Sequence, residues 1–267
     1  MYLELYGLKN SPFNITADPE FYFESSSHKE AFAALLYGIK ERKGIILVTG
    51  EVGLGKTTLC KVFMEKLSGQ IKTSLILNPY FSEVQLLEAI VGDFGLKLAR
   101  KTRLDIINKL NSFLVENSLA GGNAVLIIDE AQSLTNRQLE QIRLLSNIET
   151  AKEKLLQIVL VGQPELTEKL KQPNLRQIRQ RIFVKYNLMP LKEEELKGYV
   201  EHRLAKAGKS DLEISPESYR IIYEFSGGTP RLVNMLCDRA LLCSFARESN
   251  ILNEAIFNEC VRELALP

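Results

Sequence analysis

The chain has 267 residues, enough for one large domain or a domain with a smaller appendage. Hydrophobic residues make up 45% and charged residues 25%, a globular balance that excludes a disordered or low-complexity protein. Lys plus Arg is 34 and Asp plus Glu is 33, so a formal charge of +1 provides no global field toward nucleic acid or acidic lipid, and such binding has to be local.

From about residue 45 to 187 short β-branched runs alternate with longer helical patterns, the signature of parallel βαβ units. In chain order, a strand over Ile45 to Thr49 precedes a helix over Lys56 to Leu67. A strand over Thr73 to Leu77 is followed by amphipathic helices over Glu83 to Phe94 and Arg103 to Leu119. Next come a strand over Ala124 to Ile128, a helix over Gln138 to Ile148, and strands over Gln157 to Gly162 and Ile182 to Asn187. The third and fourth strands are almost continuously apolar, which predicts burial on both sheet faces. After Pro190 no strand-like run recurs, and Glu193 to Ala207, Pro216 to Phe225, Arg231 to Ala246 and Asn253 to Leu264 read as helices. The expected division is therefore a sheet domain over 1–190 and a small all-helical domain over 191–267. The uncharged apolar stretch Ala240 to Ala246 is far short of the roughly 20 residues a membrane helix requires, and Met1 to Asn10 lacks the basic and apolar regions of a secretory signal. A cytoplasmic location follows, with association at the inner membrane through a partner left open. Cys60, Cys237, Cys243 and Cys260 show no C-x-x-C spacing, His28 and His202 complete no metal set, and the thiols read as reduced and packed.

The chemistry is concentrated in a few short runs. Gly50-Glu51-Val52-Gly53-Leu54-Gly55-Lys56-Thr57 fits G-x-x-x-x-G-K-[ST], directly after an apolar strand and opening a helix. Glycines let backbone N–H groups, including that of Thr58, curl around phosphate oxygens, and the helix N-terminus adds its positive end. Lys56 is placed for the β- and γ-phosphates and Thr57 for Mg²⁺. The run Ala124 to Ile128 ends in Asp129 and Glu130, the first suited to the metal shell and the second to polarising a water. That second carboxylate favours water as the acceptor over a small-molecule kinase reaction. Gln163, at the end of the next strand, suits a water- or phosphate-contacting role, with a turn residue before Pro164 as the alternative.

Lys169 to Lys192 carries Lys169, Lys171, Arg176, Arg179, Arg181, Lys185 and Lys192 and no acidic residue. Most of these read as a solvated helix face, but an arginine just before an edge strand is placed to reach a neighbouring subunit's γ-phosphate. Arg181 fits that role best, with Arg176 and Arg179 behind it. Arg231 lies in the first turn of a helix, where the dipole disfavours a cation, and this invites a functional explanation such as contact with the γ-phosphate.

Together these runs resemble an AAA+ ATPase. The opening Tyr6-Gly7-Leu8, Pro12-Phe13, Asp18-Pro19, Phe21-Tyr22 and His28-Lys29-Glu30-Ala31, with Gly162-Gln163-Pro164-Glu165-Leu166 and Gly228-Thr229-Pro230-Arg231-Leu232-Val233-Asn234, resembles the general secretory pathway protein A (ExeA) type in particular. The resemblance covers nearly the whole chain. It implies a P-loop NTPase αβα sandwich with a five-stranded parallel sheet of order 5-1-4-3-2 and a helical lid, acting on ATP with Mg²⁺. It also implies Lys56 and Thr57 as the Walker A pair, Asp129 and Glu130 as Walker B, Gln163 as sensor 1, Arg181 as arginine finger and Arg231 as sensor 2. The segment from Pro12-Phe13 to Phe23 would lie along the adenine end, with a plain aromatic core as the alternative.

The implied assembly is a homo-oligomeric ring or filament with shared ATP sites, serving a protein partner in a secretion, pilus or polysaccharide-export apparatus. ExeA-type proteins commonly continue into a membrane helix and a periplasmic peptidoglycan-binding part, whereas this sequence stops at Pro267, so the expectation is a free-standing relative without direct cell-wall binding. A DNA-bound regulator of the transposition-targeting or origin-recognition type is the second expectation, weakened by the near-zero net charge and the lack of a recognisable winged-helix or helix-turn-helix appendage.

Overall fold

The computed structural model describes residues 2–67, 69, 71–208 and 212–264; Met1 and Pro267, which bound the expected domains, lie outside them. In chain order the elements begin with α1 (Tyr2–Leu5), α2 (Ser26–Lys40), β1 (Ile45–Gly50), α3 (Lys56–Lys66) and β2 (Ile71–Ile76). They continue with α4 (Glu83–Asp93), α5 (Arg103–Leu119), β3 (Asn123–Ile128), α6 (Asn136–Leu145), β4 (Gln157–Gly162), α7 (Pro164–Leu170) and α8 (Arg176–Arg179). After β5 (Ile182–Leu188) come α9 (Glu193–Ala207), β6 (Glu213–Ile214), α10 (Pro216–Ser226), α11 (Pro230–Ala246), β7 (Ile251–Leu252) and α12 (Glu254–Leu264). The contacts divide these into two compact units, one formed by Met1–Lys29, Gly53–Thr58 and Met189–Pro267, the other by Glu30–Val52 and Leu59–Leu188. Residues 2–29 and 53–58, which the sequence assigns to the sheet domain, group with the helical part in this division.

In the sheet unit the strands run parallel in the order β2-β3-β4-β1-β5, the expected 5-1-4-3-2 read from the other edge. β1 and β4 are buried at every position and β3 at all but its first, as their apolar runs predict for strands covered on both faces. The edge strand β5 instead alternates in exposure. Leu47, Leu126, Leu160, Leu110 and Ile142 belong to one continuous core on this sheet. Helix starts are set by caps: Ser82 and Gln85 form a reciprocal capping box at α4, and Thr135 and Gln138 do so at α6. The α6 box explains why the helix begins at Asn136 and not at Gln138, where apolar spacing alone would start it. Its other end is Leu145 rather than Ile148, because Ser146 closes it with a 2.7 Å bond from Oγ to the Arg143 carbonyl. α2 and α7 are helices not among those expected from the sequence, although Ala31, Leu35 and Ile39 recur at four-residue spacing on the buried face of α2.

The helical unit packs Tyr6 and Phe13 from the chain start with Leu196, Val233, Leu241 and Phe257. It is not all-helical as expected: β6 and β7 pair in parallel, Glu213 with Ile251 and Ile214 with Leu252. Two residues per strand are too few to produce a period-two signal. Gly227 ends α10 in the left-handed region (φ 53°), its N–H bonded to the Tyr223 carbonyl at 2.8 Å. Gly228 follows at φ 74°, where a Cβ would come within 2.0 Å of the Leu191 carbonyl oxygen. Alanine at Gly227 meets open space and is expected to cost about 1 kcal/mol through backbone strain alone. Alanine at Gly228 adds a collision with backbone and is expected to cost at least about 3 kcal/mol. Urea unfolding of the two variants compares them directly, and equal costs would refute the assignment of Gly228 to this close approach.

Candidate functional site

The carboxyl ends of β3, β4 and β1 lie side by side in the sheet, so Asp129, Gln163 and Gly50 emerge at one edge of it. In open α/β sheets this is the edge at which ligands bind, because strand ends and helix starts meet there. Asp129 is 1% exposed and accepts a 2.8 Å hydrogen bond from the Glu130 N–H on Oδ1. Glu130 adopts the left-handed conformation (φ 51°, ψ 34°), unusual for a residue with a Cβ, and this turn carries its side chain off the strand line. Its Oε2 accepts from Gln132 Nε2 at 2.5 Å and from Gln163 Nε2 at 3.2 Å. Gln132 Oε1 in turn accepts from the Gln163 N–H at 3.1 Å.

The two expected residues Glu130 and Gln163 are therefore joined directly and again through Gln132, which the sequence does not single out. Its signal was present two positions after Glu130, but a glutamine there has no spacing rule attached. Gly162 is needed for this approach, since a Cβ would come within 2.8 Å of Gln132 Oε1. Lys169, expected on a solvated face, donates from Nζ to the carbonyls of Gln132 at 2.8 Å and Leu134 at 2.6 Å and anchors the turn that carries Gln132.

In the loop that follows β1, Gly53 and Gly55 have φ of 84° and 89°, a conformation that disfavours any other residue. The Gly53 carbonyl accepts from the Arg231 N–H at 3.2 Å, and a Cβ on Gly53 would lie 2.7 Å from Arg231 Cβ. One of the unsatisfied N–H groups at the start of α11 is thereby used on the loop. Arg231 is thus held by its own backbone against the glycine loop. α3 starts at Lys56, which is 6% exposed, with Thr57 and Thr58 in its first turn. Glu51 and Val52 are exposed and Leu54 is buried.

His28 is a second positioning element that motif spacing missed. It is 5% exposed, with Nδ1 2.7 Å from Ser25 Oγ, and a Cβ on Gly55 would lie 3.3 Å from its Nε2. Burial pushes its pKa down to about 4, opposed by a hydrogen bond to the Leu54 backbone. The ring is neutral and supports the loop from beneath.

The glycine loop with a buried lysine at a helix start has the form that can cradle phosphate oxygens, and the residues present fit a nucleotide. Asp129 and the Thr57 hydroxyl are hard oxygen donors of the kind Mg²⁺ takes. No cluster of three or more His, Cys, Asp or Glu side chains able to hold a metal by themselves occurs among the described residues.

The arginines before β5 differ in setting. Arg176 is exposed; Arg179 donates to the Lys171 carbonyl at 3.1 Å. Arg181 is half-buried and lies near Glu140, whose carboxyl Arg143, with Arg181 adding to it, holds below the usual range. Phe13 and Phe21 are core residues of the helical unit, not an open face for a base: Arg203 lies 5.0 Å over the Phe21 ring and donates to the carbonyls of Pro12 at 2.5 Å and Asn14 at 3.0 Å.

Sheet order, glycine loop and Asp-Glu strand end together define an AAA+ P-loop NTPase fold, and residues 39–170 match the family model described as AAA domain. The chain resembles the ExeA type within that class: it is 42% identical over 251 residues to general secretion pathway protein A of Aeromonas hydrophila, an alignment covering 94% of this chain and 46% of that protein. The chain thus spans about half the length of the curated relative it matches. Among solved structures it is similar to Cdc6p of Pyrobaculum aerophilum, with a TM-score of 0.68 and 16% identity over 90% of this chain and 70% of that one. It is also similar to the Aeropyrum pernix ORC2 protein in its ADPNP-ADP complexes, with a TM-score of 0.67 and 21% identity over 88% of this chain and 66% of that one. The Thermotoga maritima RuvB Holliday junction branch migration motor matches with a TM-score of 0.61 and 19% identity over 90% of this chain and 69% of that one. At these identities the likeness is one of fold. No helix among the described residues is long and apolar enough to cross a membrane.

Because the folded pKa of His28 lies below its unfolded value of 6.5, the unfolded chain takes up a proton that the native one resists. Stability is full above the unfolded value and falls as pH drops from 6.5 toward about 4. The expected loss is on the order of 3 kcal/mol over the whole window. Urea midpoints at about pH 7 and about pH 4.5 measure it, and His28→Gln should flatten the dependence. An equally steep dependence in that variant would assign the loss to other groups.

Proposed function

We propose that the chain binds ATP with Mg²⁺ and hydrolyses it to ADP and phosphate, and that this activity drives or times assembly of a secretion, pilus or polysaccharide-export apparatus. The observation that carries the enzymatic part is Glu130, a carboxylate turned off the end of a central strand and bonded to Gln163 and Gln132. Lys56 and the loop N–H groups of Gly50 to Thr58 take the phosphates, and Thr57 and Asp129 take the metal, which when bound neutralises charge on the phosphate oxygens. Glu130 accepts the proton of the attacking water, and Gln163 orients that water. Arg231 senses the γ-phosphate, a role favoured by its backbone bond to Gly53 in the phosphate loop.

The identity with general secretion pathway protein A supports the envelope pathway, and the AAA domain match supports a ring or filament with shared sites in which Arg181 acts on a neighbour. The protein acts in the cytoplasm and reaches the inner membrane through its partner. The DNA-regulator reading rests on fold likeness alone and becomes an outcome of the test. That test is steady-state ATP hydrolysis across protein concentration, with and without duplex DNA, at two salt concentrations. Turnover per subunit that rises with concentration and ignores DNA is the expected result; salt-sensitive stimulation by DNA would overturn the pathway reading.

Two substitutions sharpen the site assignment. Glu130→Gln should retain ATP while hydrolysis falls at least ~100-fold through loss of water activation. Arg181→Ala should abolish hydrolysis with nucleotide affinity of the monomer nearly intact, and mixing the two variants should restore some turnover because each supplies what the other lacks. Unchanged turnover in Glu130→Gln, or activity surviving in Arg181→Ala, would remove that residue from its role.

A further inference from the structure

One groove is lined by none of Lys56, Thr57, Asp129, Glu130 and Gln163, although its Thr49 directly precedes the glycine loop. It opens on the face of β1 and β5 beside α7, with a volume of about 410 Å³, within the range of roughly 300 to 1,000 Å³ common to ligand pockets. Its floor is apolar: Leu47 from β1, Leu170 from α7 and Ile182 from β5. Because side chains alternate along a strand, Lys185 stands on the same face as Leu47, its register partner, and Asn187 stands beside Thr49. No further strand pairs with β5 among the described residues, so this end of the sheet is an open edge.

The rim is cationic. Arg179, Lys171 and Lys185 line it, and no carboxylate does. Lys171 is partly neutralised by an ion pair with Glu168 at 2.7 Å, and Arg179 is turned toward the groove by its bond to the Lys171 carbonyl. Lys185, exposed on the edge strand, forms no ion pair among the described residues. The groove therefore combines an apolar floor with at least two positive charges that the chain does not compensate. Phe183, 67% exposed at the bulge in the same strand, extends the apolar surface beyond the groove.

From this we infer that the β1–β5 groove binds a segment of a partner protein that sets carboxylates beside a Leu- or Phe-sized side chain. The apolar side chain fills the floor over Leu47 and Leu170, and a carboxylate pairs with Lys185 and Arg179. A nucleic acid fits less well, since its phosphates require a longer run of unpaired cations and place no apolar group on the floor. The strength of such a contact comes from burial of the apolar anchor, and its selectivity from the charges.

The probe is a fluorescently labelled peptide, Gly-Ser-Asp-Leu-Glu-Phe-Gly-Ser, and its amide twin in which Asn and Gln replace Asp and Glu, followed by anisotropy with the full chain. The acidic peptide should bind at least about ten-fold tighter than the twin, and Lys185→Glu should remove at least about ten-fold of that affinity. Lys109→Glu, at an exposed position on α5, should leave it within about two-fold. A urea midpoint unchanged in Lys185→Glu shows that the variant is folded. Equal binding of the two peptides, or an affinity indifferent to Lys185→Glu, would overturn the inference. So would displacement of the peptide by stoichiometric duplex DNA, or a Lys185→Glu variant whose only defect is loss of self-association in sedimentation, which would give the groove to nucleic acid or to a second copy of the chain.

Discussion

A phosphate loop works only if its backbone stays open toward the ligand, and in this chain that openness depends on glycines in a conformation other residues resist. Gly53 and Gly55 supply it, at φ 84° and 89°. Their surroundings leave no slack: a Cβ on Gly53 would collide with Arg231, and one on Gly55 would press on the ring of His28. The Arg231 N–H and the buried imidazole therefore do for the loop what a capping residue does for a helix end, fixing one geometry among several accessible to a glycine-rich run. The same packing explains why a histidine that completes no metal set is buried beneath the loop, held neutral by desolvation.

The carboxylate end of the candidate site follows a different rule. Asp129 is fixed by burial at a strand end, whereas Glu130 is fixed by hydrogen bonds after a left-handed turn. Gln132 reaches Glu130 and the Gln163 backbone at once, and Lys169 anchors its turn from α7. A charged side chain tied at both carbonyls of a short helical turn is a structural tether, so the basic run before β5 is not one solvated surface. It divides into a half-buried Lys169 tied to that turn, Arg179 bound to its own chain, and an exposed Arg176.

Much of the fold was legible because buried parallel strands are long apolar runs, whereas the sheet order was available only through the family resemblance. Five strands and most helices fall within a residue or two of where periodicity and caps place them. What escaped was short or masked by composition. The β6–β7 pair has two residues per strand, and α2 and α7 start on single signals, the Ser25 hydroxyl that accepts from the His28 N–H and Pro164 at the first helical position, rather than on a capping box such as Thr135 and Gln138 give α6. The aromatic residues near the chain start read either as plain core or as lying along the adenine end, and packing against Arg203 and the helical unit makes Phe21 core.

The sequence by itself determined the parts whose chemistry is local in the chain: the glycine loop with Lys56 and Thr57, the apolar strand ending in Asp129 and Glu130, and the parallel sheet those runs require. Spacing suffices for them because a phosphate cradle and a strand end are each made by consecutive residues. Tertiary structure decided what depends on residues far apart in number. Gly53 meets Arg231, Gly55 meets His28, and Leu47 from the centre of the sheet shares a groove with Lys185 at its edge. Such meetings are set by strand order and helix packing, and no periodicity within one segment encodes them.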